Sequence, residues 1–255
     1  MAPLFTGVGV ALVSLFDDDG GLDAPGTADL ATRLVDHGMR AVLVAGTTGE
    51  AMALSAQERS DLVGAVRAAV PADVVVLAGT GAATGAQAAE LTVRAFDAGA
   101  DAALVLSPPA VADPRRYYDT VAGVASGRPV LAYHFPFASA PGIDVEWLAD
   151  LPVDGLKDSS GDAERLLYEV ESFDGDVYIG ATTLLTMGGA LGVAGAILVL
   201  ANAEPERCIA AFGGDGSAQA ALAGPHRAAM ADFPAGVKQL VSERFGVSAV
   251  ARVGR

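Results

Sequence analysis

Cations are scarce in this chain. Its 255 residues carry 16 lysines and arginines against 31 aspartates and glutamates, a formal charge of −15. A surface field of that sign repels phosphates, which argues against nucleic acid and anionic membranes as partners. Lysine is rarer still: Lys157 and Lys238 are the only two, so chemistry that needs an amine has two candidates. Cysteine is nearly absent. Cys208 stands alone, so no internal disulfide can form, and no Cys/His cluster has the spacing of a zinc site. Low-complexity linkers are missing, and an apolar content of 52% excludes wholesale disorder. A chain of this length buries a sufficient core without staples.

Two apolar stretches need a reading of their own. Residues 1–16 lack a basic leading region and a cleavage pattern, so they do not read as a secretory signal. Residues 177–203 carry no charge and are long enough to span a bilayer. Gly188, Gly189, Gly192 and Gly195 break that run, and a buried helix, a turn and a buried strand describe it better. The chain reads as a cytoplasmic protein with no membrane partner.

Short aliphatic runs alternate with helical patterns along the sequence. The runs are 8–15, 41–45, 74–78, 102–106, 130–133, 153–156, 177–179 and 196–200. Most are continuously apolar, as expected of parallel strands covered on both faces. Between them lie helical patterns at 27–37, 56–69, 85–98, 114–125, 145–149, 162–170 and 182–188. Ser55 with Glu58 makes a capping box, and Thr84 and Gly99 bracket a helix. Eight such repeats point to an α/β fold, a (β/α)8 TIM barrel. Residues 1–203 form the barrel core. Residues 204–255 supply the last barrel helix and a short C-terminal helical appendage, with patterns at 205–212, 218–231 and 237–245.

A barrel of this kind carries its chemistry at the C-terminal ends of its strands. Lys157 closes the sixth run there. Burial lowers a lysine's pKa, and a neutral amine condenses with a ketone to a Schiff base. The bland alternative is a lysine salt-bridged at a strand end, with Asp158 as partner. Gly46-Thr47-Thr48-Gly49 is a tight turn after the second run, either structural or an anion nest for a small carboxylate. Tyr133 ends the fifth run, either a packed aromatic or a proton carrier near the amine. Amine, nest and phenol on one rim together describe an α-keto acid site.

These motifs carry a resemblance. Gly46-Thr47-Thr48-Gly49-Glu50, Tyr133-x-x-Pro136 and Gly155-Leu156-Lys157-Asp158-x-x-Gly161, in that order, resemble the dihydrodipicolinate synthase / N-acetylneuraminate lyase family. The likeness extends to Val10–Ser14 with Asp19-Gly20, to Gly79-Thr80-Gly81 and to Gly195–Asn202. It implies a barrel with C-terminal helices, a pyruvoyl substrate bound covalently to Lys157, and neither metal nor cofactor. Tyr133 would move a proton at the substrate oxygen and Thr47 would relay it. Thr48, with the turn amides around Gly49, would hold the pyruvate carboxylate, and the Ile197 carbonyl would line the site. The assembly implied is a homotetramer, a dimer of dimers.

The departures from that pattern are specific. The synthases carry a tyrosine pair after strand four; here the stretch reads Ser107-Pro108-Pro109-Ala110. Tyr117 and Tyr118 follow on a helix. The synthases also place an arginine after Tyr-x-x-Pro to hold the carboxylate of aspartate semialdehyde; here Phe137-Ala138-Ser139 offers no charge. These absences favour the family's sugar-acid aldolases, which cleave 2-keto-3-deoxygluconate and relatives to pyruvate and an aldehyde. Phe135, His134 and Ser139 stand where a hydroxylated tail could pass, and Arg115 and Arg116 are candidates for a phosphate. The alternative is 4-hydroxy-tetrahydrodipicolinate synthase, condensing pyruvate with aspartate semialdehyde. A further alternative is a non-catalytic keto-acid sensor. Gly79-Thr80-Gly81-x-x-x-Gly85 has neither the spacing nor the place of a dinucleotide fingerprint.

Overall fold

In the computed structural model, which describes residues 2–253, eight strands follow one another around a closed parallel barrel. They are β1 (Gly7–Ala11), β2 (Ala41–Val44), β3 (Val75–Gly79), β4 (Ala102–Leu106), β5 (Val130–His134), β6 (Gly155–Asp158), β7 (Asp176–Ile179) and β8 (Gly195–Leu198). β8 returns to pair with β1, Gly9 opposite Ile197, which closes the ring. Outside it lie α1 (Ala24–Asp36), α2 (Ala56–Ala69), α3 (Gly85–Asp97), α4 (Arg115–Ala122), α5 (Ala163–Ser172), α6 (Leu185–Leu191) and α7 (Pro205–Phe212). Three more helices follow: α8 (Gly216–Ala221), α9 (Ala223–Ala231) and α10 (Ala235–Phe245). The (β/α)8 architecture with C-terminal helices is the expected one.

Strand alternation divides the core in two. Ala41, Leu43, Leu77, Leu104, Leu131 and Tyr178 fill the barrel interior. Their neighbours Val42, Val44, Ala78, Val105 and Leu156 face the helices and belong to the larger outer core. Helix starts follow local chemistry. The Ser55 hydroxyl accepts the Glu58 N–H while Glu58 accepts the Ser55 N–H, the reciprocal box expected at α2. Thr84 caps α3 at Gln87, and Gly99, at φ +102°, ends that helix. The uncharged stretch 177–203 folds as β7, α6 and β8. No helix among the described residues is long and apolar enough to cross a membrane.

Four expectations are corrected. β1 stops at Ala11, not residue 15, because the following amides find side chains: Val13 N–H bonds Asn202 Oδ1 at 3.1 Å and Leu15 N–H bonds Thr27 Oγ1 at 2.9 Å. β6 is displaced toward the C-terminus, because the Asp154 carboxylate takes the Val130 N–H at 2.8 Å and the ladder starts after it. Lys157 therefore lies within the strand. The helix expected at 145–149 is a 3₁₀ helix, Val145–Asp150. Pro152 holds Leu151 extended and leaves no room for a further turn. The helix expected at 218–231 is broken at Leu222, since Pro225 has no N–H to offer the Ala221 carbonyl.

Candidate active site

Register decides which side chains meet in the mouth of the barrel. Lys157 pairs with Tyr133 on β5 and with Tyr178 on β7, so all three point inward. Lys157 is 3% exposed, and its Nζ lies 4.4 Å from the centroid of the Tyr133 ring. Asp158, on the opposite strand face, is not its partner. That carboxylate accepts the Ser160 N–H at 2.7 Å and hydroxyl at 2.9 Å, with Arg165 Nε at 3.9 Å. Among the described residues no carboxylate comes within ion-pair distance of the Lys157 ammonium. Burial without a counter-ion lowers its pKa from 10.5 to about 7.

Tyr133 behaves in the opposite sense. Burial raises its phenol to about 12, with the Asp158 charge adding to the rise and the Ser159 and Thr47 hydroxyls pulling it back. The phenol is therefore a proton donor at neutral pH. Phe135 stacks on its ring with centroids 5.8 Å apart and 13° between planes. Ile197, 1% exposed, packs in the same interior cluster.

The turn after β2 is held by a sharp backbone. Ala45 and Glu50 bracket it at φ 52° and 56°, positions that only surrounding contacts keep populated. Gly79 lets β3 approach: a Cβ there would stand 2.2 Å from the Ala45 carbonyl oxygen. The Gly49 carbonyl accepts the Ser14 hydroxyl at 2.7 Å. Among the described residues nothing accepts the N–H groups of Thr47, Thr48 and Gly49. Successive free amides in a turn are donors available to an anion. A cleft of about 410 Å³ opens beside them, walled by Thr47, Gly79, Ser107, Tyr133 and Ser139 among others.

Lys157, Phe135 and Thr47 thus meet at Tyr133, Ile197 lies in the barrel interior with them, and Thr48 and Gly49 follow Thr47 in the turn; of these, Thr47 and Tyr133 line the cleft. Other candidates stand elsewhere. His134 faces away from the mouth; its Nδ1 accepts the Ile143 N–H at 2.9 Å, and burial lowers its pKa to about 4. Arg115 pairs with Asp113 at 2.7 Å and lies over Trp147, outside the cleft. Tyr117 and Tyr118 bond backbone carbonyls of Ala82 and Val105, so neither ring enters the site. Ser159 and Gly180 are residues the motif reading missed. Ser159 shares the inward face of Lys157 by simple alternation, a signal the sequence did contain. A Cβ on Gly180 would lie 2.9 Å from Lys157 Cε and 1.8 Å from Ser159 Oγ. Among the described residues no group of three or more His, Cys, Asp or Glu side chains could hold a metal ion.

A profile of the dihydrodipicolinate synthetase family matches residues 4–240. The chain belongs to that family. It is 36% identical over 220 residues to a 4-hydroxy-tetrahydrodipicolinate synthase of Natronomonas pharaonis, covering 82% of this chain and 74% of that protein. It is 34% identical over 216 residues to an uncharacterized DapA-like lyase of Halobacterium salinarum, covering 81% of this chain and 70% of that one. Among solved structures, YagE, an E. coli K12 prophage protein of the dihydrodipicolinic acid synthase family in complex with pyruvate, superimposes with a TM-score of 0.90. That match has 26% identity and covers 99% of this chain and 93% of YagE. The chain is a pyruvate-dependent carbon–carbon lyase of the class I aldolase type. The names of these relatives fit the synthase alternative better than the sugar-acid reading.

Proposed function

We propose that Lys157 attacks the keto carbon of pyruvate, and the observation that carries this reading is a buried amine with no counter-ion beside a phenol. The amine forms a C–N bond while Tyr133 donates its proton to the carbonyl oxygen, with Thr47 and Ser159 handing protons to and from the phenol. Loss of that oxygen as water leaves an iminium. The Tyr133 phenolate takes a C3 proton to give an enamine, which attacks an aldehyde carbon and makes the new C–C bond while the phenol returns that proton to the aldehyde oxygen. Hydrolysis of the iminium frees the product and restores the amine. Cleavage runs the same steps in reverse. The Thr48 hydroxyl and the amides of the turn at Gly49 hold the pyruvate carboxylate, and the Ile197 carbonyl borders the site.

The aldehyde has two readings. Aspartate semialdehyde is supported by the names of relatives spanning most of the chain. A hydroxylated aldehyde from a 2-keto-3-deoxy sugar acid is supported by the loop after β5. There Phe137 is 84% exposed, and the residues of that loop that reach the cleft are Ala138 and Ser139. The cleft's arginine, Arg59, spends donors on the Gly79 and Ala51 carbonyls. A second carboxylate would find no dedicated cation in that loop, which costs affinity. Steady-state turnover of pyruvate with each aldehyde decides between them: faster condensation of the semialdehyde establishes the synthase, and faster use of glyceraldehyde establishes the aldolase. Covalent capture of pyruvate with no turnover of any aldehyde would identify a sensor instead. The assembly we propose is a homotetramer in the cytoplasm; a subunit association would cover Met52 and Phe137, 90% and 84% exposed in the single chain.

A further inference from the structure

The turn that offers its amides to a carboxylate ends on a buried carboxylate of its own. Glu50 is 2% exposed and holds a left-handed backbone at φ 56°. Its side chain accepts the backbone N–H groups of Arg252 and Val253, each at 2.7 Å. It also pairs with the ammonium of Lys238, a residue with no exposed surface. Lys238 in turn donates to the Val250 carbonyl at 2.7 Å. The Arg252 guanidinium donates to Gly20 O at 2.7 Å, Ala53 O at 3.0 Å and Glu58 at 2.6 Å. Both cations lie over the Phe16 ring, at 4.2 and 4.4 Å from its centroid.

These contacts join parts of the chain some two hundred residues apart. A charged group with no exposure is tolerated only when partners satisfy it, and here most of the partners come from residues 250–253. The same segment reaches the cleft itself, where Val253 stands in the wall with Phe233 and Thr47. The proposed chemistry spends none of these groups. A surface tail of no consequence would not place two amides on the buried carboxylate that follows the turn and a guanidinium on the Ala53 carbonyl just beyond it.

We infer that Glu50 is a positioning residue through which the C-terminal segment 248–253 fixes the turn of residues 46–49 for the pyruvate carboxylate. Fixed there, the free amides of Thr48 and Gly49 are preorganised for the substrate and need not be gathered on binding. The inference rests on the Lys157 reading of the site. It assigns the segment to substrate affinity, not to the chemical steps on the amine.

The test uses full-length protein and three variants: Glu50→Gln; Glu50→Gln with Lys238→Met, which removes both buried charges; and Arg252→Ala, which loosens the segment from its far side. Far-UV circular dichroism and melting establish folding. The readout is the pyruvate concentration that half-saturates borohydride-trapped adduct on Lys157, beside kcat at saturating pyruvate. Misplacement of binding groups by a fraction of an ångström predicts a half-saturating concentration raised by at least about tenfold in the double variant, with kcat changed by less than about threefold. Arg252→Ala shifts it in the same direction by a smaller factor. Folded variants with unchanged half-saturation, or with kcat reduced alone, overturn the inference. If wild-type protein traps no pyruvate on Lys157, the proposed function falls and takes this inference with it. If wild type traps it and the variants match, only the inference falls.

Discussion

Lys157 on β6 and Tyr133 on β5 are register partners whose side chains both enter the barrel, with Nζ 4.4 Å from the ring centroid. Two effects compete at that distance. The negative face of the ring favours an ammonium, by roughly 0.5–2 kcal/mol. Desolvation opposes it and prevails, bringing the lysine to about 7. The same burial keeps the phenol protonated to about 12. Opposite displacements of two neighbouring groups leave an amine that attacks and a hydroxyl that donates over one range of pH.

The first consequence is a pH dependence. The rate of adduct formation with pyruvate should rise as Lys157 loses its proton, reach half its maximum near pH 7 and level off above it. Below that midpoint it should fall about tenfold per pH unit. Initial rates between pH 5.5 and 9 measure this. A midpoint near the ordinary lysine value would contradict the burial argument.

Stability carries the opposite sign of the same effect. The folded lysine titrates near 7 and the unfolded one near 10.5, so the unfolded chain holds more protons between those values and the wild-type fold gains stability as pH rises. Lys157→Met removes the buried charge. It should stabilise the fold by about 1–4 kcal/mol below pH 7, with the gain fading as pH approaches 10.5. Denaturant melts at pH 6 and pH 9 make the comparison.

Tyr133→Phe keeps the stacked ring and deletes the proton donor. Loss of a positioned acid–base group predicts kcat lower by about 10²–10³-fold, while the melting temperature changes little. A kcat within threefold of wild type would assign the proton transfers to another group.

Gly180→Ala tests the packing behind the amine. The added methyl would meet Ser159 Oγ at 1.8 Å and Lys157 Cε at 2.9 Å. The Lys157 stem can swing aside, whereas Ser159 Cβ, also at 2.9 Å, moves only with its backbone, so the strand end shifts locally and the amine is displaced. Activity should fall at least about tenfold with a melting temperature within a few degrees of wild type. Equal loss of both would mean the glycine serves the fold alone.

Much of this site could be read in the sequence because its cues are local. The continuous apolar runs, the Ser55–Glu58 capping box and the glycines of the β2 turn are each written within a few residues. Lys157 was visible because lysines are so rare here. What escaped depends on register and on contacts across the chain. A β6 ladder that starts after Asp154 moves Lys157 inside the strand. His134, one residue beyond Tyr133, alternates to the other strand face and leaves the cleft. Alternation with Lys157 gives the face of Ser159, but its place beside the phenol depends on the pairing of β5 with β6, which no local pattern carries. The partners of Glu50, at positions 238, 252 and 253, carry no local signal at all.

The most direct test asks where pyruvate is captured. Wild-type protein is incubated with pyruvate, reduced with borohydride, digested and analysed by mass spectrometry, with Lys157→Ala as the control. The account predicts a reduced pyruvyl group on the peptide containing Lys157, none on the peptide containing Lys238, and neither adduct nor turnover in the alanine variant. An adduct carried by Lys238, or turnover that persists without Lys157, would contradict it.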